Sequence, residues 1–173
     1  MINNIVIVGI NRKVSRQVGE ILTEQLGMHF LDTIELFEFD NIPRTFEDIL
    51  KEQGVSYYRK KEQGIIGYAS EFENTVIHIE SGAVNKKANL DRLKEFALVV
   101  YLHIPAGKIK GYLNNQEYVS KELKKFFNIS LDSISARIEK LKKQCNIKIN
   151  AYGKSPLRLS SEIIRAMNEY FNK

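Results

Sequence analysis

The sequence predicts an α/β fold in one domain spanning residues 1–173, built on a five-stranded parallel sheet with helices on both faces. Two observations carry this. Short apolar runs alternate with segments of helical periodicity along the whole chain, which places the strands parallel with helical crossovers between them. The runs are also continuous rather than alternating, as in strands buried on both faces. No internal repeat, linker or low-complexity stretch breaks the pattern.

Ile5-Val-Ile-Val8 opens as the first strand and ends at Gly9 and a polar loop. Val18, Ile21, Leu22 and Leu26 recur at helical spacing, and Gly27 stops that helix. Met28–Leu31 reads as a second strand and Thr33–Phe39 as a short helix. Pro43 and Thr45 open a helix through Leu50 that Gly54 ends, and Tyr57–Phe72 gives a longer helix weakened by Gly64 and Gly67. Val76–Ile79 is the third strand, followed by the turn Glu80-Ser-Gly82 and a helix marked by Leu90 and Leu93. Ala97–Ile104 is the strongest strand, closed by Pro105. Helical stretches follow around Ile109–Leu113, Val119–Phe127 and Ile134–Lys143, then a last strand, Ile147–Asn150. Pro156 starts a C-terminal helix with Leu159, Ile163, Ile164, Met167 and Phe171 on one face.

No apolar stretch is long enough to span a bilayer, and Met1 leads into a strand rather than a secretory signal. The single cysteine, Cys145, cannot form an intrachain disulfide, so a cytoplasmic location is expected. A net charge of +5 favours anionic partners. The clusters Lys121/Lys124/Lys125 and Lys140/Lys142/Lys143 read as solvated helix faces, and no DNA or RNA recognition motif accompanies them. His29, His78 and His103 stand alone on or beside strands and are read as structural rather than metal-ligating.

In such a sheet, ligands sit beyond the carboxyl ends of the strands. The loop after the first strand, Gly9-Ile-Asn-Arg-Lys-Val-Ser-Arg16, stands where a phosphate-binding loop, G-x-x-x-x-G-K-[ST], would. Its first glycine is right. Val14 replaces the second glycine, Ser15 the lysine that neutralises phosphate, and Arg16 the hydroxyl that binds Mg²⁺. Gly9, Arg12, Lys13, Ser15 and Arg16 are nevertheless the candidate nucleotide contacts, since Arg12, Lys13 and Arg16 keep the loop basic ahead of a helix N-terminus.

Further segments occur in order along the chain. Leu31-Asp-Thr-Ile-Glu35 resembles the "DTD" segment of shikimate kinases, Tyr58-Arg59-x-x-Glu62 their "FRxxE", and Glu80-Ser-Gly-Ala-Val84 their "GGGAV". Arg137 lies at the family spacing before Asn150, and Ser155-Pro156 matches the start of the final helix. Together these make the chain similar to the shikimate kinase family, which implies the three-layer P-loop kinase fold. The resemblance implies that Asp32 is catalytic and organises Mg²⁺, and that Arg59, Glu62, Gly82 and Arg137 line a pocket for a shikimate-like carboxylate. It also shows departures. Ile34 replaces the aspartate that contacts substrate hydroxyls, only Gly82 remains of three glycines, and Asn114 to Lys121 contains no lid arginine.

Removing one preorganised donor from an active site costs about 10²–10³ in rate, roughly 3–4 kcal/mol. Several are missing here together. The expected function is therefore binding of a small anionic metabolite, or of a protein partner, without efficient phosphoryl transfer and with no assigned cofactor. The alternative is a divergent phosphotransferase acting on shikimate or a related hydroxy acid with ATP and magnesium; nucleic-acid binding through the basic helices is a third reading.

Overall fold

Residues 3–114, 125, 127 and 129–172 are described by a computed structural model of the chain. The strands are β1 (Asn4–Gly9), β2 (His29–Asp32), β3 (Thr75–Glu80), β4 (Ala97–His103) and β5 (Ile147–Asn150). They form one sheet in the order β2-β3-β1-β4-β5, with every pairing parallel. The helices are α1 (Arg12–Leu26), α2 (Thr33–Phe39), α3 (Phe46–Ala69), α4 (Lys87–Phe96), α5 (Ala106–Asn114), α6 (Leu131–Gln144) and α7 (Pro156–Phe171), with a 3₁₀ turn over Ser81–Asn85. The helix expected over Val119–Phe127 lies outside the described residues apart from Lys125 and Phe127.

The continuous apolar strands separate two cores. Ile5 and Ile7 of β1 face Val18 and Leu22 of α1 and Leu159 and Ile163 of α7. Val6 and Val8 face the other way, onto Ile66 of α3, Leu90 and Leu93 of α4, and Ile134, Ile138 and Leu141 of α6. A third cluster, Ile34, Phe37, Phe46, Ile49, Leu50 and Tyr58, joins α2 to α3. Of the apolar face expected on α7, Leu159 and Ile163 are buried, whereas Phe171 is largely exposed at the helix end.

Local signals explain the boundaries. Gly27 takes φ 64° and its N–H closes α1 on the Thr23 carbonyl. The two helices expected on either side of Gly54 run as one element broken at that residue, which has φ 76°. Thr45 and Asp48 form a capping box at its start. Ser155 caps α7, with Pro156 in the first turn.

Strand order fixes where a ligand would sit. β1 lies between β3 and β4, and the chain leaves it in one direction and later returns on the other side. The crevice at this switch point opens beyond Gly9 and Glu80, which are paired in register. Ile7 lies on this central strand with no exposed surface. We expect Ile7→Ala to cost roughly 2–5 kcal/mol, read as a lower urea midpoint with an unchanged denaturant slope.

Candidate functional site

The segment after β1 is shorter than the sequence suggests. Only Ile10 and Asn11 separate β1 from α1, which starts at Arg12, so most of the stretch expected to form a loop over Gly9–Arg16 is helical. The Asn11 side chain caps the helix by accepting from the Val14 N–H at 3.1 Å. The Ser15 N–H bonds the Asn11 carbonyl at 2.9 Å. Two amides that a phosphate cradle would aim at a ligand are thus already paired within the protein. Gly9 permits this tight entry, because a Cβ there would lie 3.2 Å from Leu102 Cβ and 3.3 Å from Ser15 Cβ.

Beneath this turn lies a buried chain of hydrogen bonds. Ser15 Oγ is 3.0 Å from His78 Nε2, and His78 Nδ1 is 2.9 Å from Asp32 Oδ2. Ser15 and His78 have no exposed surface, and Asp32 is 3% exposed. Burial pushes the Asp32 carboxyl up. The His78 bond and charge, the Ile34 N–H and Arg12 more than offset this and hold it below the usual carboxylate range. A carboxylate only accepts, so His78 Nδ1 carries the proton in that bond. The second oxygen, Oδ1, caps α2 by accepting from the Ile34 N–H at 2.8 Å and from the Glu35 N–H at 3.4 Å. The order Ser–His–Asp is that of a nucleophilic triad, but a serine sealed from solvent meets no substrate.

The basic residues of the segment diverge. Arg16 forms ion pairs with Glu20, Glu35 and, at 3.5 Å, Asp32. Arg12 places its guanidinium over the Phe46 ring, 5.9 Å from the centroid. Lys13 is exposed.

A second polar chain crosses the crevice. The Arg59 Nη1–H donates to Glu62 Oε1 at 2.7 Å, and its Nη2–H donates to Glu80 Oε2 at 2.9 Å. The Ser81 hydroxyl donates to Glu80 Oε1 at 3.2 Å and accepts from Arg137 Nη1 at 3.0 Å. Arg137 Nη1 also lies 3.7 Å from Glu80 Oε1. Arg59 of α3 and Arg137 of α6 therefore converge on one carboxylate, at the end of β3. Gly82 makes room for the Arg59–Glu80 pair, since a Cβ there would overlap the Arg59 guanidinium and crowd the Glu80 carboxylate. Burial pushes the Glu80 carboxyl up, but Arg59 and Arg137 hold it below its ordinary value. Burial, with the Arg59 charge, lowers the Arg137 pKa against the pull of Glu80.

Of the residues singled out in the sequence, seven fall into two groups, while Gly9, Arg12 and Lys13 stand outside both. Ser15 and Asp32 meet through His78, with Arg16 reaching Asp32 from outside. Arg59, Glu62, Gly82 and Arg137 meet through Glu80. His78 and Glu80 are the linking residues that sequence reasoning missed. A histidine inside an otherwise apolar strand needs a buried partner, and a glutamate in place of the first pocket glycine brings a carboxylate to two arginines. Among the described residues no group of three or more His, Cys, Asp or Glu side chains gathers as a metal site, and no helix is long and apolar enough to cross a membrane.

The shikimate kinase family profile matches residues 16–168 and so begins just after Ser15. A shikimate kinase of Persephonella marina is 27% identical over 161 residues, covering 93% of this chain and 96% of its own length. The crystal structure of shikimate kinase from Aquifex aeolicus superposes with a TM-score of 0.75 at 25% identity, over 95% of each chain. Shikimate kinase from Acinetobacter baumannii in complex with shikimate gives a TM-score of 0.77 at 21% identity, covering 98% of this chain and 94% of that one.

Glu62 leaves a measurable trace. Its side chain is 3% exposed. Burial raises its pKa, Arg59 opposes and Glu80 adds to the rise, leaving it at about 7 against an ordinary 4.5. The folded state holds this proton more tightly than the unfolded chain, so Glu62 stabilises fully below about pH 4.5. That contribution fades as pH rises through about 7 and is constant beyond. We expect a loss of about 3 kcal/mol across this window in the parent that is absent in Glu62→Gln, measured by denaturant unfolding at a series of pH values.

Proposed function

The chain belongs to the shikimate kinase family, and from that premise we propose that it is a cytoplasmic, non-catalytic member. Its site binds a small carboxylate or docks a protein partner without efficient phosphoryl transfer. The observation that carries this reading is the start of α1 at Arg12, with Ser15 closed onto His78. Phosphoryl transfer depends on positioned donors and a bound metal at the transferring group. Here the amides of Val14 and Ser15 are paired, both Asp32 oxygens have partners, and Arg16 is held by carboxylates. The residues present do not fit MgATP.

The carboxylate side supports a binding role. Arg59 and Arg137 remain, and the Acinetobacter baumannii neighbour was solved with shikimate. Ile34 is completely buried and offers no hydrogen bond to a hydroxylated ring. The presence of Arg59, Glu62, Arg137 and Asp32 together favours the second reading, a divergent ATP- and magnesium-dependent phosphotransferase on shikimate or a related hydroxy acid. Its nucleotide side would need α1 to unwind at its first turn.

We expect calorimetry to find no saturable MgATP binding at low millimolar concentration; a dissociation constant below about 100 μM, some 5.5 kcal/mol of binding, contradicts this. With shikimate present, we expect no ADP release approaching the roughly 1–100 s⁻¹ of kinases. Turnover in that range selects the second reading.

A further inference from the structure

The arginine pair already holds a carboxylate of the protein's own. Glu80 is anchored at the end of β3, where its Oε2 meets Arg59 at 2.9 Å and its Oε1 takes the Ser81 hydroxyl at 3.2 Å. Two cations, Arg59 and Arg137, stand against Glu80, which stays ionised, and against Glu62, which ionises only as pH rises through about 7. An incoming acid would find the pair partly neutralised by Glu80, and fully so above about pH 7.

The internal ligand nevertheless fits unequally. Glu80 reaches Arg59 at hydrogen-bond distance but stops 3.7 Å short of Arg137. Arg137 is 4% exposed, and its Nε has no hydrogen-bond partner among the described residues. Such a buried donor is expensive to leave unmade. The geometry has a simple cause. Glu80 is followed directly by the 3₁₀ turn, whose Gly82 amide also bonds its carboxylate, and a side chain tied at this point does not span two guanidinium groups. A carboxylate free of the chain has no such limit and pairs with arginine through two parallel bonds.

We propose that Glu80 is an intramolecular competitor built into the site. It occupies the Arg59–Arg137 pair and so sets the affinity for external small carboxylates low, and its removal opens the pair to them. The site's unassigned specificity determinant is thus a single side chain, and the ligand class it gates is a small monocarboxylate with room for one planar head between two guanidinium groups. This inference rests on the binding role proposed above but not on the loss of phosphoryl transfer. A ligand that competes with a tethered group binds with its intrinsic affinity reduced by the fraction of molecules in which that group has let go.

The test is thermal unfolding without nucleotide of the parent, Glu80→Gly and Glu80→Gln, in sodium acetate, sodium shikimate, sodium chloride at equal ionic strength, and the uncharged methyl ester of shikimate. The expected result is a lower Tm for Glu80→Gly, raised by about 5–10 °C when acetate or shikimate reaches a hundredfold excess over its dissociation constant. Chloride and the ester should have no such effect, and at the same carboxylate concentrations the parent should respond far more weakly than the variants. Glu80→Gln keeps the side-chain volume and an oxygen for Arg59 but loses the charge, so it is a weaker competitor that a free carboxylate displaces; if the glycine variant does not fold, it carries the test with a smaller rise of the same carboxylate specificity. A parent that responds to carboxylates as strongly as the variants overturns the proposal. So does a folded variant that gains nothing from carboxylates beyond chloride. Because no nucleotide is present, either failure is distinct from finding kinase turnover in the parent.

Discussion

The hydrogen bond between Ser15 Oγ and His78 Nε2 ties the first turn of α1 to a strand inside the sheet, and the carboxyl ends of β1, β2 and β3 are organised around it. Every group in its path is buried, so each must find its partner inside the protein. His78 finds Asp32, and Asp32 in turn caps α2. One chain of contacts thereby sets the start of α1, the position of β3 and the direction in which the chain leaves β2. In the low dielectric of the interior such bonds strengthen one another, and losing a member strands the rest at about 1–3 kcal/mol per unsatisfied group.

The Arg59–Glu80–Arg137 cluster is a second closed system, reached from the same edge of β3 two residues further along. Buried ion pairs add little net stability over an apolar replacement, but breaking one by removing a single partner is costly. The cluster therefore acts mainly on geometry. It draws Arg59 of α3 and Arg137 of α6 onto the strand end, with the Arg59 guanidinium 4.8 Å from the centroid of Phe127. Ile10, Ile34, Phe46, Ile129 and Ile134 complete the apolar walls of the small cavity beside Arg12 and Arg137, about 50 Å³ in volume. A larger hollow, about 430 Å³, is lined by Arg59, Lys60, Glu62, Gly82 and Asn85.

The sheet was legible in the sequence because parallel strands covered on both faces have no reason to alternate: Ile5–Val8 and Ala97–Leu102 announce themselves as unbroken apolar runs. Gly27 and Gly54 were legible for a steric reason, since each takes a positive φ where a side chain is strained. The start of α1 was obscured by comparison with a phosphate-loop pattern, which invites a loop as far as Arg16. The local signal pointed elsewhere, to Asn11 as a capping side chain just before Val14 and Val18. Arg59 and Glu62 were legible as a pair by their spacing on one helix. Their shared dependence on Glu80 was not, because it joins residues far apart in sequence that only the sheet brings together.

The replaced residues in the first segment make physical sense as a set rather than as separate losses. Val14 packs against the core formed by Val18, Leu22 and Leu159, which a glycine there would leave emptier. Ser15 is small enough to sit against Gly9 and short enough to reach His78; a lysine at that fully buried position would bring an ammonium group into the place of a hydroxyl already in contact with His78 and the Asn11 carbonyl. Arg16 supplies the charge that Glu20, Asp32 and Glu35 would otherwise lack. Each substitution answers a neighbour, so local geometry, packing and charge agree on the closed helix start. The segment is therefore stable without a phosphate in it, and a ligand entering there must first disrupt contacts the protein makes with itself.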